Sequence, residues 1–95
     1  MNITIRFAGP LRALAGCHTL SLSLDDEATL RGLLPVLRDA VSPAFLEQVL
    51  APLEAGDPPL ALLLLNRAHL RASTELDRPL ADGDTIAFVP PMAGG

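Results

Sequence analysis

The chain has no lysine, no tryptophan and no tyrosine, and only one cysteine, and each shortage removes a class of function. Phe7, Phe45 and Phe88 are its only aromatic residues, too few for a platform on which single-stranded nucleic acid could stack. Positive charge is also scarce. Seven arginines face eleven Asp and Glu for a net charge of -4, with no sequence cluster suited to neutralising phosphates, so nucleic acid is excluded as a partner. Cys17 alone can form neither an intrachain disulfide nor a thiolate metal cluster, and no metal site is expected. The longest apolar run, Leu60 to Leu65, is far too short to span a bilayer. The start Met1-Asn2-Ile3-Thr4-Ile5 has no charged-then-apolar leader pattern. Together these point to a cytoplasmic protein without a membrane partner.

What is present is a chain of 95 residues, 49% of them hydrophobic. That length fits one domain over residues 1–95, whose core must be built from Leu, Ala, Val and Ile. Residues 2 to 8 alternate with β-branched positions and predict a strand with Ile3, Ile5 and Phe7 on one face. Gly9-Pro10 breaks it. Pro10 opens a helical turn over Leu11 to Ala15 that Gly16 stops. Thr19 to Leu24 alternates again, as a half-buried strand.

Asp25-Asp26-Glu27 precedes Thr29, which reads as the N-cap of a helix whose positive end faces the carboxylates. Leu30, Leu33, Leu34, Leu37 and Val41 fall on one stripe of that helix. Pro35 predicts a kink or a late start within it. Ser42-Pro43 opens an extra helix near 43–53 with Phe45, Leu46, Val49, Leu50 and Leu53 on its apolar face, and Pro52 helps to end it. Glu54 to Pro59 reads as a surface loop.

Leu60 to Leu65 predicts a strand with leucines on both faces, one of them core and the other covered or open to a partner. A turn over Asn66 to Ala68 leads to a short strand near His69 to Arg71, and Leu76 to Leu80 reads as a tight helical turn. Asp82-Gly83-Asp84 turns the chain into a last strand, Thr85 to Val89. The order is that of an α+β roll: a mixed sheet covered by one main helix plus the extra helix, its first and last strands adjacent and parallel, the β-grasp or ubiquitin-like arrangement.

The ending carries the chemistry. Proline cannot donate to a strand ladder, so pairing stops at Pro90, and Pro90-Pro91 stiffens the exit of a functional tail over 91–95. Met92 follows, and then Ala93-Gly94-Gly95 has so little bulk that the carboxylate can thread a narrow channel in another protein. From Pro91 the tail reaches about 17 Å when extended. A terminal glycine pair alone arises in roughly one chain in 200. Joined to the strand pattern and the proline exit, it becomes specific.

The run Phe88-Val89-Pro90-Pro91-Met92-Ala93-Gly94-Gly95, with Phe7-Ala8, Leu11-Arg12-Ala13-Leu14-Ala15-Gly16, Asn66 and Pro79-Leu80-Ala81-Asp82-Gly83-Asp84, resembles the MoaD/ThiS family of sulfur carriers. Within it, the ending is similar to that of small subunits of molybdopterin synthase. Residues 42 to 59 depart from the shortest members. The resemblance implies that an E1-like enzyme uses ATP to adenylate the Gly95 carboxylate, and that a sulfur donor system converts it to a thiocarboxylate. A large synthase subunit, in a heterotetramer, then receives the tail and its sulfur passes to a pterin precursor.

On that reading the chain is a non-catalytic, sulfur-carrying subunit that binds no cofactor stably. The resemblance leaves room for thiamine thiazole, cysteine or tRNA thiolation as the destination, and for a ubiquitin-like protein modifier. Phe7 and Phe88, with one set of the leucines from Leu60 to Leu65, are candidates for a docking face, with core packing as the alternative. Cys17, His18 and His69 read as packing or solvated residues. Arg67 and Arg71 could pair with acidic groups of a partner. The all-arginine set is explained most simply by composition bias, although a chain with an activated carboxyl end also gains by lacking side-chain amines.

Overall fold

Strand β1, Asn2–Phe7, places Ile3, Ile5 and Phe7 inside and Thr4 and Arg6 on the opposite face, as the two-residue period of a strand requires. The computed structural model describes residues 1–55, 61–71 and 74–90. After β1, Pro10 occupies the first turn of α1, Pro10–Ala15. Gly16, at φ 87, closes it with its N–H on Arg12 O at 2.9 Å, the left-handed C-terminal stop that glycine makes cheap. Strand β2, Thr19–Ser23, returns antiparallel to β1.

Helix α2, Leu30–Ala40, covers the sheet with Leu30, Leu33, Leu34 and Leu37 buried. Thr29 sits at its N-cap position, but its side chain makes no capping bond. Loop carbonyls replace it: Leu30 N–H donates to Arg78 O at 3.2 Å and Arg31 N–H to Leu76 O at 2.8 Å. Two of the helix's orphan donors are thereby satisfied by distant sequence. The helix starts at Leu30 and continues through Pro35, so the late start expected from that proline does not occur. Pro35 and Arg31 are both exposed, and the carbonyl that loses its partner can bond to water.

Residues 43–55 form one helical stretch of three parts. It opens with α3, Pro43–Phe45, where Ser42 Oγ accepts from the Phe45 N–H at 3.3 Å. A π-helical turn follows at Leu46–Leu50, and the Ala51 N–H reaches back to Leu46 O. Helix α4, Ala51–Ala55, completes it. Pro52 therefore lies inside the stretch and does not end it. A proline ring clashes with the carbonyl four residues earlier, and the wider π turn beside it is a known way for a helix to absorb such a break.

Strand β3, Leu62–Leu65, and β4, Ala68–Leu70, form a hairpin, and β5, Thr85–Val89, inserts between β3 and β1. The sheet order is β2-β1-β5-β3-β4, with β1 and β5 parallel and the other pairs antiparallel. This mixed sheet with helices on one face is the expected β-grasp. The segment 76–80 is not helical. It is tied instead by a turn from the Arg78 N–H to Glu75 O and by pairing of Pro79 with Thr29, because its carbonyls are committed to capping α2.

All three phenylalanines meet in the core. Phe45 packs edge-on against Phe7 at 5.1 Å and against Phe88 at 5.3 Å, while Phe7 and Phe88 stack at 5.8 Å. Such ring pairs add about 0.5–1.5 kcal/mol each beyond their buried area. Phe7 is 4% exposed and Phe88 0%. Their expected place on a docking face is thus corrected: the extra helix brings Phe45 over that end of the sheet and encloses both rings. The helical stretch over residues 43–55 is therefore core structure.

Candidate functional site

The described residues run one position past β5, to Pro90. Val89 pairs with Leu62 on one side, and on the other the Ala8 N–H donates to Phe88 O at 3.0 Å. Pro90 has no N–H to continue the ladder. Beside it lies Gly9, where an added Cβ would stand 3.6 Å from Pro90 Cγ. Gly9 has φ 58 and ψ -138, a combination that residues with a Cβ avoid. The β1–α1 loop is thus shaped by glycine where it meets Pro90. Pro90 is half-buried; Pro91, Met92, Ala93, Gly94 and Gly95 lie outside the described residues.

Next to Pro90, the sheet face opposite the core forms an open depression of about 750 Å³. Strand register explains its lining. Thr19, Arg6, Ala87, Leu64 and His69 are successive partners across all five strands, so they form one row on that face. Leu64, Ala87 and Val89, all half-buried, supply an apolar floor. Arg6, Arg12 and Arg67 line the same depression with His18 and are exposed. The leucines of β3 are divided as the sequence suggests, with Leu63 and Leu65 in the core and Leu62 and Leu64 on the open face.

Two local devices set the charged rim. Arg12 Nη1 lies 3.4 Å from His18 Nδ1, a contact in which guanidinium donates and the ring nitrogen accepts. Arg67 occupies the β3–β4 turn, where Asn66 has φ 50 and Arg67 φ 78. Two left-handed residues between the paired Leu65 and Ala68 make a hairpin turn of the type that prefers Asn-Gly. Asn66 suits its position and is anchored: its N–H donates to Thr85 O at 2.9 Å, its Oδ1 accepts from the Thr85 N–H at 3.0 Å, and its Nδ2 donates to Asp84 Oδ1 at 2.8 Å. Arg67 is carried along in a conformation unusual for its type.

The sequence singled out the tail, Phe7 and Phe88 and raised Arg67 beside Arg71, but missed the grouping of Arg67 with Arg6 and Arg12. Arg6, Arg12 and Arg67 are far apart in the chain, and only the sheet register unites them. The alternation Ile5-Arg6-Phe7 was the available signal for Arg6. Among the described residues, no group of His, Cys, Asp and Glu could hold a metal ion, and no helix is long and apolar enough to cross a membrane.

The model of the ThiS family matches residues 5–95. The chain belongs to the ThiS family, one of ubiquitin-like sulfur carriers and modifiers. Its fold is similar to SAMP1 from Haloferax volcanii, at 23% identity and a TM-score of 0.74 with each chain covered in full. It is also similar to the complex of subunits 1 and 2 of the molybdopterin-converting factor from Helicobacter pylori 26695, at 23% identity, a TM-score of 0.67 and full coverage of both chains. CysO from Mycobacterium tuberculosis matches at 26% identity and a TM-score of 0.67, over 93% of this chain and 97% of that one. No curated protein matches the chain.

Proposed function

We propose that this chain carries sulfur as a thiocarboxylate on Gly95, in the cytoplasm, for synthesis of the molybdenum cofactor. The observation that carries the reading is that the family match extends through residue 95 and so includes the Gly94-Gly95 pair. The chemistry is coherent. A carboxylate is a poor electrophile. An E1-like enzyme transfers AMP from ATP to a Gly95 carboxylate oxygen, releasing pyrophosphate and leaving a mixed anhydride. A sulfide equivalent from a donor then forms the C–S bond at the carbonyl carbon as the C–O bond to AMP breaks, and AMP departs with the electron pair.

The role of the fold in this scheme is presentation. Pairing on both sides of β5 and the end of the ladder at Pro90 support a tail that begins there, with Ala93-Gly94-Gly95 as its small last residues. The partner that takes the sulfur is a large synthase subunit, a reading supported by the likeness to a chain solved with its subunit 2 and by the Pro90-Pro91 ending. Intact mass after incubation with ATP, the E1-like enzyme and a sulfur donor tests the scheme. One oxygen exchanged for sulfur at Gly95 is the expected product. Adducts of the chain on other proteins would instead identify a modifier. Loss of molybdenum-cofactor synthesis in cells lacking the Gly95 codon is expected, and unchanged synthesis would sink the reading.

A further inference from the structure

Two strands border the sheet, β2 and β4. A border strand is a template for further pairing, and folded chains usually blunt it by shortness, charge, proline or a bulge. β4 is blunted: it has three residues and lies between Arg67 and Arg71. β2 is not. Its sequence Thr-Leu-Ser-Leu-Ser carries no charge and no proline, and its register with β1 runs from end to end without a bulge.

The ladder fixes the direction of its free groups. The Phe7 N–H donates to His18 O and the Leu24 N–H to Met1 O, both at 2.9 Å. Bonded positions alternate in an antiparallel pair, so Leu20 and Leu22 turn their backbone groups to β1. Thr19, Ser21 and Ser23 turn theirs outwards. Among the described residues, no backbone group bonds to these three from the outer side.

This outer edge is complementary to itself. A second, antiparallel copy centred on Ser21 sets Thr19 against Ser23, Ser21 against Ser21 and Leu20 against Leu22, the register that engages the whole strand. Hydroxyls then meet on the open face and leucines on the helix side, and cross-strand pairs of both kinds favour a sheet. The flanks agree. Arg12 and His18, exposed and 3.4 Å apart, stand at the start of β2, and the exposed Asp25, Asp26 and Glu27 follow its end. Antiparallel pairing brings the basic end of each copy to the acidic end of the other, whereas parallel pairing would set like charge on like.

We propose that the β2 edge binds the β2 edge of a second copy of this chain, giving a two-fold dimer with one continuous sheet. The contact is isologous, so it closes at two copies and does not propagate. It does not depend on the sulfur-carrier reading. β1 separates β5 from this edge, so pairing there leaves β5 and Pro90 uncovered. A contact made mainly by one short strand buries less than the about 1,200–2,000 Å² of a stable interface, so the dimer is weak. Half-dimerisation falls at a concentration on the order of 0.1–1 mM.

The test is sedimentation velocity of the full chain between about 10 µM and 2 mM. The expected result is a mass that rises with concentration from that of one chain towards that of two. Ser21 is exposed, and Ser21→Glu and Ser21→Lys each oppose like charges across the axis, so each variant alone is expected to stay monomeric. An equimolar mixture of the two should dimerise again. Amide hydrogen exchange of the wild type supplies a readout that needs no variant to fold: Thr19, Ser21 and Ser23 slow as concentration rises, while Leu20 and Leu22 do not. A wild type that stays monomeric throughout overturns the proposal. So does a dimer that persists in both folded variants, a mixture that remains monomeric, or a dimer whose Thr19, Ser21 and Ser23 amides exchange as fast as in the monomer.

Discussion

The side-chain amide of Asn66 donates to Asp84 Oδ1 at 2.8 Å, tying the β3–β4 turn to the start of β5. Asn66 also accepts from the Thr85 N–H, so one side chain sets both the left-handed turn and the register of β5. Asn66→Ala loses both side-chain bonds and puts a Cβ-bearing residue without that support at φ 50. A loss of about 2–5 kcal/mol is expected, from exposed hydrogen bonds of about 0.5–1.5 kcal/mol each and a left-handed cost of about 1–2 kcal/mol. Asn66→Gly should lose only the first part. Urea midpoints of the two variants separate the contributions.

Arg67→Gly is expected to act in the opposite direction. It creates the Asn-Gly pair that this turn prefers and relieves φ 78, for a gain of about 1 kcal/mol in unfolding free energy. Glycine's greater freedom in the unfolded chain takes back part of the relief. A more stable protein that is adenylated less well would show that the native arginine is retained against stability. A less stable Arg67→Gly would remove the strain argument.

Phe45→Ala removes the ring that closes over Phe7 and Phe88. The site is fully buried, and loss of a core aromatic costs about 3–5 kcal/mol, a large share of the stability of a domain this size. Thermal unfolding of Phe45→Ala and Phe45→Leu should rank them with alanine much the worse. A small effect of alanine would mean that residues 43–55 are an appendage after all.

Much of this fold is legible in the sequence because its signals are local. Ile3, Ile5 and Phe7 alternate, Leu30, Leu33, Leu34 and Leu37 keep a helical stripe, and Gly16 and Gly83 mark turns at positive φ. What escapes is what depends on contacts made far along the chain. Thr29 looks like a cap, but carbonyls of Leu76 and Arg78 do the capping, and that commitment is why 76–80 is not the helical turn its composition suggests. Phe7 and Phe88 look available for docking until Phe45 is placed over them. The arginine rim is invisible for the same reason: three separate elements meet on a face that no sequence window spans.

Glu75 supplies a pH dependence with a definite sign. Its carboxylate accepts from the Arg71 N–H at 2.7 Å and from Arg78 Nη1 at 2.9 Å, and these bonds, the backbone one foremost, hold its pKa below the ordinary value near 4.5. A carboxyl with a lowered pKa in the folded chain stabilises it above the unfolded value, and that contribution is lost as pH falls below about 4.5 through the folded value. The loop it braces carries the carbonyls that cap α2. The melting temperature of Glu75→Gln should therefore lie below that of the wild type at pH 7, with the gap closing by pH 3. A gap that stays constant across this range would show that the carboxylate's charge is immaterial.

On the proposed carrier role, the backbone of Gly9 links stability to presentation of Gly95. An added Cβ there stands 3.6 Å from Pro90 Cγ, an ordinary contact, so Gly9→Ala meets no steric obstacle from its neighbour. Its cost is in the backbone, because φ 58 with ψ -138 is a region nearly restricted to glycine and strained by about 1–3 kcal/mol for other residues. The variant can relieve that strain only by moving the loop that flanks Pro90. Gly9→Ala is therefore expected to lower the unfolding free energy by an amount in that range and to slow adenylation of Gly95 at saturating enzyme, with the rim arginines intact. Gly16→Ala, also at positive φ but with nothing within 4 Å of an added Cβ, should show a loss of stability without the loss of rate. Equal rates for the two variants would separate the loop from the path of the tail.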